Sequence, residues 1–290
     1  MKYGVLVQPE GDMRAFTETV KWLDTLTMVD GIWIPDHMVR YNPNGSGTYI
    51  PRHDTLTCAS LAAAHTKRLN IGTLVLPYLL YNPVQLAKAV FTLNNYLLDE
   101  RIFYLGLGTG APNDPSYEML NIDFPPYAER VAHFHAYLDT LMLLFKREPT
   151  VKGYIQQPVL PEGKPPHLVI ASHNKSIIEV IPQLGSFVTI GAYGDNIENI
   201  IQSATQQSEW FDNACKNNFK PPNEATLKIF FPYGKIARIS FVTWLTFHTL
   251  RNTLTHMGYN YLIVPFVKEN SLIQEILQTG GHTTLRPNSF

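Results

Sequence analysis

Residues 69–110 read LNIGTLVLPYLLYNPVQLAKAVFTLNNYLLDERIFYLGLGTG. The apolar run Leu69 to Leu76 has the length and composition of a buried strand. Asn82-Pro83 then opens a helix, with proline at the first helical position, where its missing N–H costs nothing. A second apolar run, Arg101 to Leu107, ends in Gly108-Thr109-Gly110. Strand, helix and strand in this order form the unit of a parallel sheet, since parallel neighbours need a crossover between them.

The same rhythm extends in both directions. Upstream, a strand over Tyr3 to Gln8 precedes a helix that Asp12 can cap, with Phe16, Val20 and Leu23 on one face. A second strand, Gly31 to Pro35, ends in Asp36-His37, and Thr55 to His65 reads as a helix. Downstream, Tyr127 to Phe145 places Val131, Phe134, Leu138, Leu141 and Phe145 on one stripe. Lys146 to Pro166 carries five prolines and breaks the rhythm; it reads as an inserted loop or hairpin. Strands then follow over His167 to Ala171, Phe187 to Ala192, Leu227 to Phe231 and Tyr261 to Phe266. Helices lie between them over Ile197 to Lys216 and Phe241 to Met257, and a last one covers Ser271 to Leu277. Eight strand–helix units predict one domain over residues 1–290, a closed (β/α)₈ TIM barrel of the α/β class. An open doubly wound sheet is the alternative, but no glycine fingerprint follows the first strand.

The bulk chemistry narrows the function classes. The chain has 290 residues, 45% hydrophobic and 16% charged, with a net charge of −1. That balance lacks the basic stripe of a nucleic-acid binder. No apolar run reaches the roughly 18 residues of a membrane span, and the N-terminus runs straight into a strand rather than a signal peptide. Cys58 and Cys215 are far apart in helical contexts, so neither a disulfide framework nor a cysteine metal site is expected. The histidines are scattered, and no metal set can be assembled from strand ends. A cytoplasmic enzyme acting on a small molecule is the expectation.

In a parallel barrel the chemistry sits in the loops after the strands. Asp36-His37 supplies an imidazole that can exchange protons near neutral pH, or that simply ties a loop. Gly108-Thr109-Gly110 allows a flat ring or a phosphate to approach the backbone, or is a tight turn. Ser172, Asn174 and Ser176 can offer hydroxyls and helix N–H groups to a phosphate, or can cap the next helix. The segment Tyr41 to His53, with Gly45-Ser46-Gly47, is either a lid or a plain loop.

Taken together, GIWIPDH (31–37), LNIGTLVLP (69–77), YNPVQLAK (81–88), DERIFYLGLGTG (99–110) and Ala128-Glu129-Arg130 resemble, in order and spacing, the luciferase-like monooxygenase superfamily over about residues 1–145. The resemblance is closest to the branch that uses the deazaflavin coenzyme F-420. It implies a flavin- or deazaflavin-dependent oxidoreductase, holding F-420 or FMN, that moves a hydride or activates oxygen. It implies that Asp36 and His37 contact the ring, with His37 the acid/base. It also implies a non-proline cis peptide at Leu74-Val75 behind the ring, Gly108, Thr109 and Gly110 along the cofactor, and Ser172, Asn174 and Ser176 at its phosphate. A homodimer is implied too, and the small-residue helix from Cys58 to Ala64 would permit close packing, against a second copy or against its own barrel. Two positions depart from the pattern. Ala111 stands where the sugar-phosphate dehydrogenases have a glutamate, and Ala171-Ser172-His173 stands where Gly-Gly is common. These departures keep a second class open, a non-catalytic relative that only binds the cofactor.

Overall fold

The computed structural model describes residues 1–42, 47–97, 101–112, 114–153, 155–156, 159–190, 197–217, 227–231 and 244–265. Its centre is a ring of eight parallel strands: β1 (Lys2–Leu6), β2 (Val29–Ile34), β3 (Asn70–Thr73), β4 (Phe103–Gly108), β5 (His167–Ala171), β6 (Ser186–Ile190), β7 (Lys228–Phe231) and β8 (Tyr261–Pro265). Each strand pairs with the next, β4 pairs with β5, and β1 pairs with β8, so the sheet closes on itself. Closure decides between the two architectures open to the sequence: this is the barrel, not the open sheet.

The helices form where the sequence signals place them. Asp12 caps α1 (Met13–Asp24) by accepting from Arg14 N, and Phe16, Val20 and Leu23 are its buried face. Helix α2 covers Thr55–His65, and Asn82 caps α3 (Pro83–Thr92) with Pro83 at its start. A short helix, α4, follows at Pro115–Met119, then α5 at Tyr127–Phe145. Later helices include α6 (Lys175–Ile178), α7 (Ile181–Leu184), α8 (Ile197–Asn217) and α9 (Trp244–His256). Within 146–166, Thr150–Val151 pairs antiparallel with Ile155–Gln156, a small hairpin outside the barrel rhythm. The expected helix over Ser271 to Leu277 and the strand-end residues Ala192 and Phe266 lie outside the described residues.

Alternation along the strands divides the core in two. Val5 and Val7 face the outer layer beneath the helices, while Leu6 faces the barrel interior. Trp33 fills that interior. It stacks on Tyr104 with ring centroids 5.2 Å apart and donates its indole N–H to Tyr261 at 3.2 Å. Its bulk explains two glycines on the flanking strands: a Cβ at Gly4 or at Gly72 would lie 2.5 Å from the Trp33 ring. The interior is therefore filled by side chains, as a barrel of this size requires, and the C-terminal ends of the strands are where its chemistry is sought. Cys58 and Cys215 are both free and buried, and burial pushes the Cys58 thiol up to about 11. Among the described residues, no helix is long and apolar enough to cross a membrane.

Candidate active site

The third strand does not run straight to the mouth. Gly72 faces Tyr104 and Leu76 faces Leu107, so four steps on one strand, 72 to 76, oppose three on its neighbour, 104 to 107. This is a β-bulge, with a cis peptide at Leu74-Val75. The expected backbone feature is present at the expected bond. Thr73 bridges the interrupted ladder: its hydroxyl donates to the Gly106 carbonyl at 3.0 Å and accepts from Gly106 N–H at 2.9 Å. Leu74 and the partly buried Val75 thereby join the interior cluster with Leu6, Ala171 and Phe231.

The glycines of β4 answer to this bulge. A Cβ at Gly106 would fall 1.9 Å from the Thr73 carbonyl oxygen, and one at Gly108 would fall 3.0 Å from Val75 Cγ2. Gly110 has φ +81°, and a Cβ there would lie 2.1 Å from the Tyr117 hydroxyl. Gly106 and Gly110 are thus required by neighbours within the fold, and Gly108 is closely packed against the Val75 side chain.

Asp36 and His37 part company after β2. Asp36 is 8% exposed, and hydroxyls hold both its oxygens: Thr55 at 2.7 Å and Tyr81 at 2.9 Å. Burial pushes this carboxyl above its ordinary range, and the two hydroxyl hydrogen bonds oppose the shift. Asp36 ties the end of β2 to the start of α2 and to the loop before α3. Tyr81→Phe removes one of these donors, and the fold should lose about 1–2 kcal/mol. Urea unfolding of the variant beside wild type measures it, and an unchanged midpoint would refute the tie.

Asp36 is the neighbour of His37 in sequence, but it is not the carboxylate that meets the imidazole. His37 Nδ1 lies 2.6 Å from Oδ2 of Asp114, whose side chain is 5% exposed against 38% for the histidine. Asp36 cannot serve because its oxygens are turned into the wall. Asp114 is the N-cap of α4, and its Oδ1 accepts from Ser116 N–H at 2.9 Å. Ser116 Oγ in turn accepts from Met38 N–H at 3.2 Å, so the loops after β2 and β4 are latched together. Burial works to raise the Asp114 carboxyl, but hydrogen bonds from His37 and Ser116 outweigh it and hold it below the usual range. A carboxyl held low in the fold stabilises it above the unfolded pKa of about 3.9 and loses that contribution as pH falls through the lower folded value. The sequence carried one signal for Asp114: Asp-Pro is a helix start. Nothing in it announced a partner in another loop.

A second constellation stands behind the first. Arg40 grips Glu10 with two hydrogen bonds, at 2.6 and 3.1 Å, and Arg52 bonds Gln8. The His53 ring meets the Gly11 carbonyl at 2.8 Å. These bonds anchor an antiparallel hairpin, Val39–Tyr41 against Tyr49–Pro51. The segment expected as lid or loop is a hairpin fixed at its base; Gly45 and Ser46 lie outside the described residues.

At the β5 turn, Ser172, Asn174 and Ser176 bond to one another. Ser172 Oγ accepts from Asn174 N–H at 3.0 Å, and Asn174 Oδ1 accepts from the N–H and hydroxyl of Ser176 at 2.8 and 2.6 Å. This is the capping arrangement, and it occupies the groups that the resemblance assigns to a phosphate.

Among the described residues, the buried side-chain atoms without a hydrogen-bond partner include Nε of Arg130 and the hydroxyls of Tyr78, Tyr117 and Tyr137. Each of these residues is at most 9% exposed. Arg130 lies over the Phe124 ring at 3.9 Å, and its charge acts on the hydroxyls of Tyr78 and Tyr117. Tyr117 abuts Gly110, and the Tyr78 and Tyr137 rings are 5.6 Å apart. Buried donors are seldom left unpaired, and Tyr117 brings this group up to the Gly110 turn. Arg130 was quoted in the sequence only as part of a family match, and the tyrosines have no motif at all. Among the described residues, no three of His, Cys, Asp and Glu gather as a metal site would require.

Comparison with known proteins places this geometry. The family model described as luciferase-like monooxygenase matches residues 1–206. Among solved structures, the coenzyme F420 dependent tetrahydromethanopterin reductase from Methanopyrus kandleri is 10% identical, with 97% of each chain covered and a TM-score of 0.70. The monooxygenase RslO1 from Streptomyces bottropensis is 14% identical over 92% of each chain, with a TM-score of 0.68. The oxygenating constituent of 3,6-diketocamphane monooxygenase from Pseudomonas putida, in complex with FMN, is 16% identical over 90% of this chain and 80% of that one, with a TM-score of 0.60. No curated protein sequence matches the chain.

Proposed function

Because the chain belongs to the luciferase-like monooxygenase family, we propose that it is a flavin- or deazaflavin-dependent oxidoreductase acting on a small organic substrate at the C-terminal mouth of its barrel. The observation that carries this reading is the cluster of unpartnered donors around Arg130. Arg130 donates to the Pro125 carbonyl through Nη1 at 2.6 Å but keeps Nε unpaired, as are three buried phenols, of which Tyr117 abuts Gly110; such a group suits the anionic tail that coenzyme F-420 and FMN share. The apolar floor of Leu74 and Val75 suits the flat ring above it.

A bound cofactor of this kind supplies the hydride or oxygen chemistry, and the protein supplies position and protons. Here Leu74 and Val75 would back the ring, with Gly108, Thr109 and Gly110 along it. Arg130, Tyr78 and Tyr117 would hold its anionic end, with Ser172, Asn174 and Ser176 as a second rim once their mutual bonds open. His37, tied through Nδ1, has Nε2 to take or give the proton that accompanies the redox step. Asp36 would act from the wall, fixing the loop that carries His37.

The test is direct. The purified protein is titrated with F-420 and with FMN, and the absorption spectrum and mass of whatever binds are recorded. Binding of neither would overturn the proposal. Binding without turnover against a panel of alcohols, aldehydes and aromatic substrates would favour the non-catalytic relative.

The unpartnered hydroxyls give a sharper expectation. In Tyr78→Phe/Tyr117→Phe the empty protein should melt at the same temperature or higher, because two buried groups without partners are gone. Cofactor affinity should fall by about tenfold or more, as lost hydrogen bonds to a charged group imply. Unchanged affinity would remove these residues from the site. The homodimer stands beside this as a proposal tested by light scattering; Cys58, Ala59, Ala62 and Ala63 are buried against the chain's own barrel.

A further inference from the structure

We infer that Asp114 is a positioning residue that fixes the His37 imidazole with its proton on Nδ1 and so keeps Nε2 as the atom that faces the chemistry. The inference rests on the proposal that His37 exchanges a proton at this mouth, and it adds the group that makes the exchange directional. In a neutral imidazole one nitrogen donates and the other accepts, and the bond made by one decides the state of the other. Asp114 is 2.6 Å from Nδ1, and its carboxylate can only accept, so Nδ1 must donate. The carboxylate is itself fixed, buried at the head of α4 and held by Ser116 N–H at 2.9 Å. The group that could have competed, Asp36, has both oxygens engaged by Thr55 and Tyr81. The arrangement also gives the Ala111 departure a context. The loop after β4 has no carboxylate directly after Gly110, yet it supplies one at Asp114 and directs it to His37 rather than leaving the loop without acidic function.

The test reads the imidazole itself. Protein labelled with ¹⁵N-histidine is studied by NMR above the histidine titration range, with the His37 signals assigned by their loss in His37→Gln. In wild type, Nδ1 should give the protonated-nitrogen shift and Nε2 the unprotonated one. In Asp114→Ala the pattern should reverse or average, because no carboxylate selects Nδ1. Ser116→Ala is the structural control. It removes the hydroxyl's contacts to Met38 N–H and to the Asp114 carboxylate but keeps the carboxylate itself and the backbone N–H that holds it, and it should keep the wild-type pattern. Turnover in Asp114→Ala should fall about tenfold or more with the substrate's KM little changed. A wild-type pattern in Asp114→Ala, or an equal change in Ser116→Ala, would overturn the inference. Failure of the protein to bind F-420 or FMN would leave the NMR result standing and would count against the functional proposal alone.

Discussion

Replacing His37 with alanine is expected to lower turnover of the bound cofactor by about 10²–10⁴, the usual worth of a positioned acid or base, while weakening cofactor binding by only about 1 kcal/mol. The separation follows from position. The imidazole is held after β2 by a buried carboxylate and keeps 38% of its side-chain surface open, whereas a large cofactor draws its affinity from many contacts. The structure also shows what could mimic this result. His37 joins the loop after β2 to Asp114, so alanine removes a latch as well as a proton carrier. His37→Asn separates the two roles. Its amide can still donate to Asp114, but it cannot exchange a proton near neutral pH. The asparagine variant should unfold like wild type and turn over like the alanine variant. Fluorescence titration gives the affinity and stopped-flow absorbance gives the rate. If the asparagine variant keeps a rate within about tenfold of wild type, the acid–base assignment is wrong.

Gly106→Ala should be the most damaging small change in the barrel. The new methyl would sit 1.9 Å from the Thr73 carbonyl oxygen and 3.0 Å from Val75 Cγ1. The first of these neighbours is backbone and has no rotamer to yield. Either β3 and β4 separate, or the bulge moves and takes Leu74 and Val75 with it. Overpacking of this kind costs typically about 1–3 kcal/mol and more where backbone must shift, so about 3 kcal/mol or above is expected, with lost cofactor binding in whatever protein remains folded. Gly108→Ala is the comparison. Its new atom would meet the end of a side chain, Val75 Cγ2 at 3.0 Å, and the cost should be clearly smaller. Chemical denaturation of both variants measures the difference, and equal midpoints would show that the bulge does not dictate the glycine.

These two predictions differ in how far the sequence alone supported them. The rhythm of strands and helices was legible because burial imposes a period on the chain. Phe16, Val20 and Leu23 fall on one face of α1, and Asp12 and Asn82 stand where helix ends leave N–H groups to satisfy. Helices α2 and α5 begin and end at the residues expected, Thr55–His65 and Tyr127–Phe145. Local chemistry decided those boundaries, so local sequence revealed them. The bulge at Leu74-Val75 was legible only through resemblance. No propensity marks it, and the glycines that accommodate it lie on another strand.

What the sequence determined by itself is the α/β alternation, the eight-strand count, and the position of His37 at a strand end. Each is a property of residues near one another in the chain. Only the tertiary structure decided which carboxylate serves that histidine, why Gly4 and Gly72 must be small, and that Arg130, Tyr78, Tyr117 and Tyr137 share a buried region with donors unpaired. Asp36 is adjacent to His37 in sequence, but Thr55 and Tyr81 turn it inward; Asp114 is distant in sequence, but α4 carries it to 2.6 Å. A hydrogen bond depends on separation and direction in space, and closing the barrel sets both after the local signals have been spent.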